Sequence, residues 1–229
     1  MARKLLRIGL AATLAFAACA ASAQQVIDRI IATVNGNPIL QSDLEDAIGY
    51  ESFIEGKAPE ALTAADRKAT LDRLIDQELL REQLASSPPP ALKPDELKNR
   101  LEEVRKLYPG ADSETGWHDT LARYGLTEKE LEQRLTQQLE LASFVDSRLR
   151  PGIQIDSASI EVYYRDNLLP QLEKSGEKPS LAQVTPQIKQ VLTEKKMSDL
   201  LTAWLQSLRS ESTIHNDVES PSLKGGQTR

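Results

Sequence analysis

Cysteine, histidine and aromatic residues are all scarce in this chain of 229 residues: one cysteine, two histidines and 4% aromatics. Each scarcity removes a class of explanation. A lone Cys19 closes no disulfide within the chain, so the fold must rest on its core. His118 and His215 lie on separate segments, without the close histidine spacing of metal ligands, so no zinc site is expected. The nucleophile elbow, the phosphate loop and the dinucleotide fingerprint are missing too. Carboxylates such as Glu45, Asp46, Glu128, Glu130 and Glu132 sit beside lysine and arginine, as on an ordinary solvated helix face. No catalytic, cofactor-binding or metal-ligating residue is assigned, and the chain reads as a non-enzyme.

Positive charge is also in deficit, with 28 basic against 34 acidic residues. An acidic surface argues against nucleic acid or anionic lipid as the main partner, because both reward clustered Lys and Arg. What basic charge there is opens the chain. Arg3, Lys4 and Arg7 precede a short apolar run over Ile8 to Ala18, and Ala21-Ser22-Ala23 follows. These are the parts of a secretory signal, and the run is shorter than the roughly 20 apolar residues of a spanning helix. Cleavage after Ala23 is expected, which makes the protein periplasmic. The alternative is a lipid anchor on Cys19, since Phe16-Ala17-Ala18-Cys19 loosely resembles a lipoprotein cleavage box.

One stretch carries β character. In Val26 to Leu40 the even positions Val26, Ile30, Ala32 and Val34 form one apolar face, and Asn35-Gly36 supplies a tight hairpin turn. Helical periods fill the rest. Ser42 with Glu45 has the spacing of a capping box for a first helix carrying Leu44, Ala47, Ile48 and Phe53. A second opens near Thr63 and carries Leu71, Leu74, Ile75, Leu79 and Leu80 until Pro88-Pro89-Pro90. Pro94 suits the first turn of a third, with Leu97, Leu101, Val104 and Tyr108 on its stripe.

A short helix then runs through Trp117 and Leu121 to Gly125, a left-handed cap. Thr127 and Glu130 form another capping box and open a long helix ending at Pro151-Gly152. Asp156 caps the next, which runs through Tyr163 and Tyr164. The last long helix spans Val184 to Leu208, and a short extended piece follows near Thr213-Ile214. Tyr163, Tyr164 and Trp204 are assigned to the core between these last two helices. Residues 216–229 read as a disordered tail, including Gly225-Gly226.

Five of these segments, in this order, resemble one known family. Asp28-Arg29-Ile30-Ile31-Ala32-Thr33-Val34-Asn35-Gly36, with Ile39-Leu40-Gln41-Ser42-Asp43-Leu44 after it, is similar to the opening of SurA-type periplasmic chaperones. Leu71 to Leu80, the junction Tyr124-Gly125-Leu126-Thr127-Glu128-Lys129-Glu130-Leu131, Val162-Tyr163-Tyr164 and Ser180-Leu181-Ala182-Gln183-Val184 resemble its later segments. In that family a parvulin-type prolyl isomerase domain usually precedes the final long helix. Here only Leu169 to Ser180 stands in its place, a connecting loop in length.

The resemblance implies a mainly α fold. A bundle of six or seven helices would carry an N-terminal β-hairpin, and a long C-terminal helix would pack back on the N-terminal segment, all within residues 24–215. It further implies an ATP-independent holdase without cofactor, whose partners are unfolded polypeptides, outer-membrane protein precursors foremost. No nucleic acid or small-molecule substrate is expected. Two other readings stand beside it: a parvulin-family prolyl isomerase, and a structural adaptor subunit of an envelope assembly. Tyr50, Phe53 and Trp117 are the candidate client-binding residues, since large rings give much contact at little entropic cost; the plainer alternative for them is core packing.

Overall fold

A computed structural model describes residues 28–57, 63–88, 92–93, 95–171 and 179–216. Strands β1 (Ile30–Val34) and β2 (Asn37–Leu40) form an antiparallel hairpin. Asn35 at φ 50° and Gly36 at φ 89° make its turn, a backbone that asparagine and glycine tolerate better than other residues. The expected alternation on β1 is corrected by a register shift between Ile30 and Ala32. The bulge turns Ile31 inward beside Ala32 and Val34 and leaves Ile30 47% exposed.

Seven α-helices follow among the described residues. They are α1 (Gln41–Ile54), α2 (Ala64–Ala85), α3 (Glu96–Arg105), α4 (Glu114–Arg123), α5 (Glu128–Leu149), α6 (Ser157–Tyr163) and α7 (Leu181–Glu211). A 3-10 turn, Arg150–Gly152, ends α5, and one π turn, Tyr164–Leu168, extends α6.

The start of α1 corrects the expected Ser42–Glu45 box. Helix α1 is capped two residues earlier, at Leu40, and the Asp43 carboxylate accepts from the Leu40 amide at 2.8 Å. Ser42 is free of that duty and donates to Asp28, while Glu45 pairs with Arg67 of α2. Thr127 caps α5 through Glu130, as their spacing predicts, and Thr63 caps α2 through Asp66 in the same way. Between α4 and α5, Gly125 sits at φ 67°; its amide donates to Ala122 and that of Leu126 to Leu121, the paired bonds of a Schellman cap. Helix α3 starts at Glu96, and Pro94 lies outside the described residues.

The extended piece after α7 is strand β3 (Ile214–Asn216), which pairs antiparallel with β1 and completes a sheet of order β2-β1-β3. The long last helix thus packs back on the N-terminal segment. Asn35 is tied into the return: its side-chain amide donates to Glu82 of α2 at 2.7 Å and accepts from the Thr213 amide at 2.9 Å. Arg209 adds a clasp from α7 to α2, donating to the Asp76 carboxylate at 2.6 Å and to the Asp72 carbonyl at 2.9 Å.

Two apolar cores result. The first lies under the sheet, where Ile31, Val34 and Ile39 meet Leu44 and Ile48 of α1, Leu71, Ile75 and Leu79 of α2, Phe144 of α5 and Leu208 of α7. Trp204 joins this core on Phe144, with ring centroids 6.0 Å apart, and so packs on α5 where contact with the preceding helix was expected. Tyr163 and Tyr164 are half-buried, and Tyr164 donates to the Pro179 carbonyl at 2.7 Å.

The second core gathers Tyr50 and Phe53 of α1, Val104 of α3, Trp117 and Leu121 of α4, and Leu131 and Leu135 of α5. Helices α1 and α5 run through both cores. Among the described residues no helix is long and apolar enough to cross a membrane.

Candidate functional site: a groove between three helices

Beside the cores, three helices each turn one face toward a shared opening. On α1 that face is Asp43, Asp46, Ala47, Tyr50 and Glu51; on α2 it is Leu74, Gln77, Glu78, Arg81 and Leu84. On α5 it runs from Glu130 through Gln133, Arg134, Gln137 and Gln138 to Glu140 and Leu141. Steps of three and four residues keep each set on one side of its helix. With Pro38 and Ile39 of β2 they enclose an open groove of about 640 Å³. That is within the size range of ligand clefts, roughly 300–1,000 Å³.

The groove has an apolar floor and a polar rim. Ile39, Leu74 and Leu141 belong to the floor and are part of the first core or packed against it, and Ala47 beside them is buried. Four glutamines and six carboxylates stand around them, with two arginines. Much of the rim is held in place. Tyr50 donates to the Gln138 carbonyl oxygen at 2.6 Å, and Arg134 lies 5.6 Å over the Tyr50 ring while reaching Asp46 at 3.4 Å. Burial pushes the Tyr50 hydroxyl up to about 12, so it stays a donor at any physiological pH. The Thr127 hydroxyl and amide hold the Glu130 carboxyl below its usual value and keep it ionised.

Of the three residues singled out in the sequence, Tyr50 alone borders this groove. Phe53 is 0% exposed and Trp117 1%, both inside the second core. Phe53 stacks on Tyr108 at 4.9 Å and meets Tyr124 edge-on at 5.3 Å, while Arg105 sits 5.4 Å from the Trp117 ring. Rings enclosed in this way hold the second core together and leave no face on the surface. Sequence spacing reads Asp46 and Glu130 as an ordinary solvated helix face and does not single out the glutamines. Their signal was available as the three- and four-residue spacing of 130, 133, 134, 137, 138 and 141, a stripe distinct from the Leu131–Leu135 stripe of the same helix.

Among the described residues, one group of metal-capable side chains comes together that sequence spacing does not disclose. Glu114, His118 and Glu128 each place a ligand atom within 4.8 Å of the others. The carboxylates already have partners, since Glu114 pairs with Arg105 at 2.9 Å and Glu128 accepts from the Trp117 indole at 3.2 Å. Each also begins a helix, where the positive end of the backbone dipole favours an anion and opposes an added cation. Their chemistry is accounted for without an ion.

A family model for the SurA-like N-terminal domain matches residues 4–145, more than half of the chain. The chain belongs to the SurA-like N-terminal domain family. No curated protein matches it. The matched range holds β1, β2 and all of α1 to α4, together with the part of α5 that lines the groove, so every wall of the groove lies within the SurA-like domain. Helices α6 and α7 and strand β3 follow it. Between α6 with its π turn and α7, Leu169 to Ser180 leaves space for a connection and not for a parvulin-type domain. The family is of chaperone type, and this member carries the helical body of it.

Proposed function

We propose that this protein is an ATP-independent holdase of the periplasm, which binds unfolded exported polypeptides and keeps outer-membrane β-barrel precursors from aggregating. The observation that carries the reading is the open groove of α1, α2 and α5, with an apolar floor beneath a rim of amides and carboxylates. Unfolded chains expose apolar side chains and unpaired main-chain groups together. An apolar floor buries the first at roughly 25 cal/mol per Å² removed from water, and glutamine amides both donate to and accept from the second. Binding of this kind is reversible and needs neither cofactor nor turnover. Membership of the SurA-like family supports the same conclusion.

The test is dilution of a urea-unfolded outer-membrane β-barrel protein into buffer with and without this protein. Light scattering is expected to fall as the protein approaches equimolar amounts, with no added nucleotide, and a protease-coupled proline-peptide assay is expected to show no acceleration. Unchanged scattering, from a preparation that circular dichroism shows to be helical, would sink the holdase reading. Stable recovery with one stoichiometric partner would then favour a dedicated adaptor.

Export makes a separate prediction. Expressed as its full chain in a bacterium, the protein is expected in the periplasmic fraction, with an intact mass that begins at Gln24. A mass beginning at a lipid-modified Cys19 would replace the soluble form with an anchored one.

A further inference from the structure

We infer that the groove selects extended client segments in which apolar residues alternate with lysine or arginine. The inference rests on the holdase reading and names the class of client segment that the groove prefers. Its ground is the charge of the rim. Six carboxylates line the groove against the two guanidinium groups of Arg81 and Arg134. Arg134 is paired with Asp46 and Arg81 with Glu78, and Arg73, outside the lining, is bound to Glu51 at 2.8 Å. Among the described residues the carboxylates of Asp43, Glu130 and Glu140 make no ion pair, although Arg134 lies near enough to Glu130 to help hold its charge.

These three are not equivalent. Asp43 and Glu130 accept from backbone amides at the starts of α1 and α5, where the helix dipoles offset part of their charge. Glu140 has no hydrogen bond or ion pair among the described residues and is half-buried. A negative charge in that position is screened less by salt than one in open solvent, and it attracts a cation into the groove.

Geometry supplies the alternation. Successive side chains of an extended chain point to opposite sides. A segment laid along the groove therefore sends one set down to Ile39, Leu74 and Leu141 and the other out to the rim. Lysine and arginine suit that outward set, because their long apolar stems lie along the walls while the charged ends reach the carboxylates.

Fluorescence anisotropy with three labelled twelve-residue peptides, leucine alternating with lysine, glutamate or serine, tests this. In about 20 mM salt the lysine peptide is expected to bind roughly tenfold more tightly than the glutamate peptide, and about 300 mM salt should remove most of the difference. Glu140→Lys is expected to weaken the lysine peptide several-fold more than Glu132→Lys, an exposed change on the same helix outside the groove. Equal affinity for all three peptides overturns the charge preference and leaves the holdase reading standing. Equal effects of the two variants overturn the groove as the origin of the preference. If no peptide binds while aggregation is still suppressed, the groove is not the client site. If both readouts fail, the holdase reading falls with it.

Discussion

Phe53→Ala is expected to lower the free energy of unfolding by about 3–5 kcal/mol. Phe53 is fully enclosed, with Tyr108 stacked at 4.9 Å, Tyr124 edge-on at 5.3 Å and Trp117 tilted at 5.9 Å. Truncation removes three ring contacts, each worth roughly 0.5–1.5 kcal/mol beyond the buried area. It also leaves a cavity whose walls are held from several sides. Tyr108 is anchored by its hydroxyl, which donates to the carbonyl of residue 53 itself, and Trp117 by its indole bond to Glu128. Walls fixed in this way relax little, which puts the cost at the upper part of the range. Urea unfolding followed by circular dichroism measures it. A loss below about 1 kcal/mol, joined to weaker client binding, would return Phe53 to the surface role considered for it.

The same residue shows where sequence reading runs out. Apolar spacing identifies Leu44, Ala47, Ile48 and Phe53 as an inward face of α1, and all four are buried. It does not say what lies opposite. That Phe53 is closed over by α3 and α4 while Tyr50, one turn earlier, borders the groove follows from how α5 crosses α1, a long-range fact with no local signature. Local signals fared well where one or two residues decide the backbone. Asn35-Gly36 makes the hairpin turn, Gly125 the left-handed cap, and Thr127 and Asp156 each cap a helix as their side chains suggest.

Misreadings came where two local solutions compete. Asp43 and Glu45 both lie within reach of the start of α1; Asp43 takes the Leu40 amide, and Glu45 is drawn off by Arg67. The bulge at Ile30–Ala32 is likewise set by the partner strand and not by the alternation of β1 alone. Strand β3 could be seen as extended, yet its pairing with β1 joins residues about 180 positions apart, beyond any local pattern. For the groove, the sequence held the stripe of glutamines and carboxylates on α5. Polar stripes are ordinary on helices, and only the opposed faces of α1 and α2 turn this one into a wall.

Leu79→Ala is expected to cost about 2–5 kcal/mol, and to lower the unfolding midpoint seen in both cores equally. Leu79 is 1% exposed at the centre of the first core, on the helix that Arg209 and Asn35 tie to the returning C-terminal segment. The two cores share no buried residue, and two separate units would unfold one without the other. The helices argue against that. Ile48 and Tyr50 lie two residues apart on α1 yet belong to different cores, and α5 passes from the second core at Leu135 to the first at Phe144 without a break. Melting one core frays both helices at their middle, where nucleating a fresh end is costly. The two tryptophans make the test direct, because Trp117 lies in the second core and Trp204 packs on the first. In single-tryptophan versions of the protein, Leu79→Ala should shift the urea midpoint by the same amount whichever ring reports. A fall seen by Trp204 with the Trp117 midpoint unmoved would make the two cores independent units. The groove, whose walls α1 and α5 run from one core into the other, would then open when the first core melts.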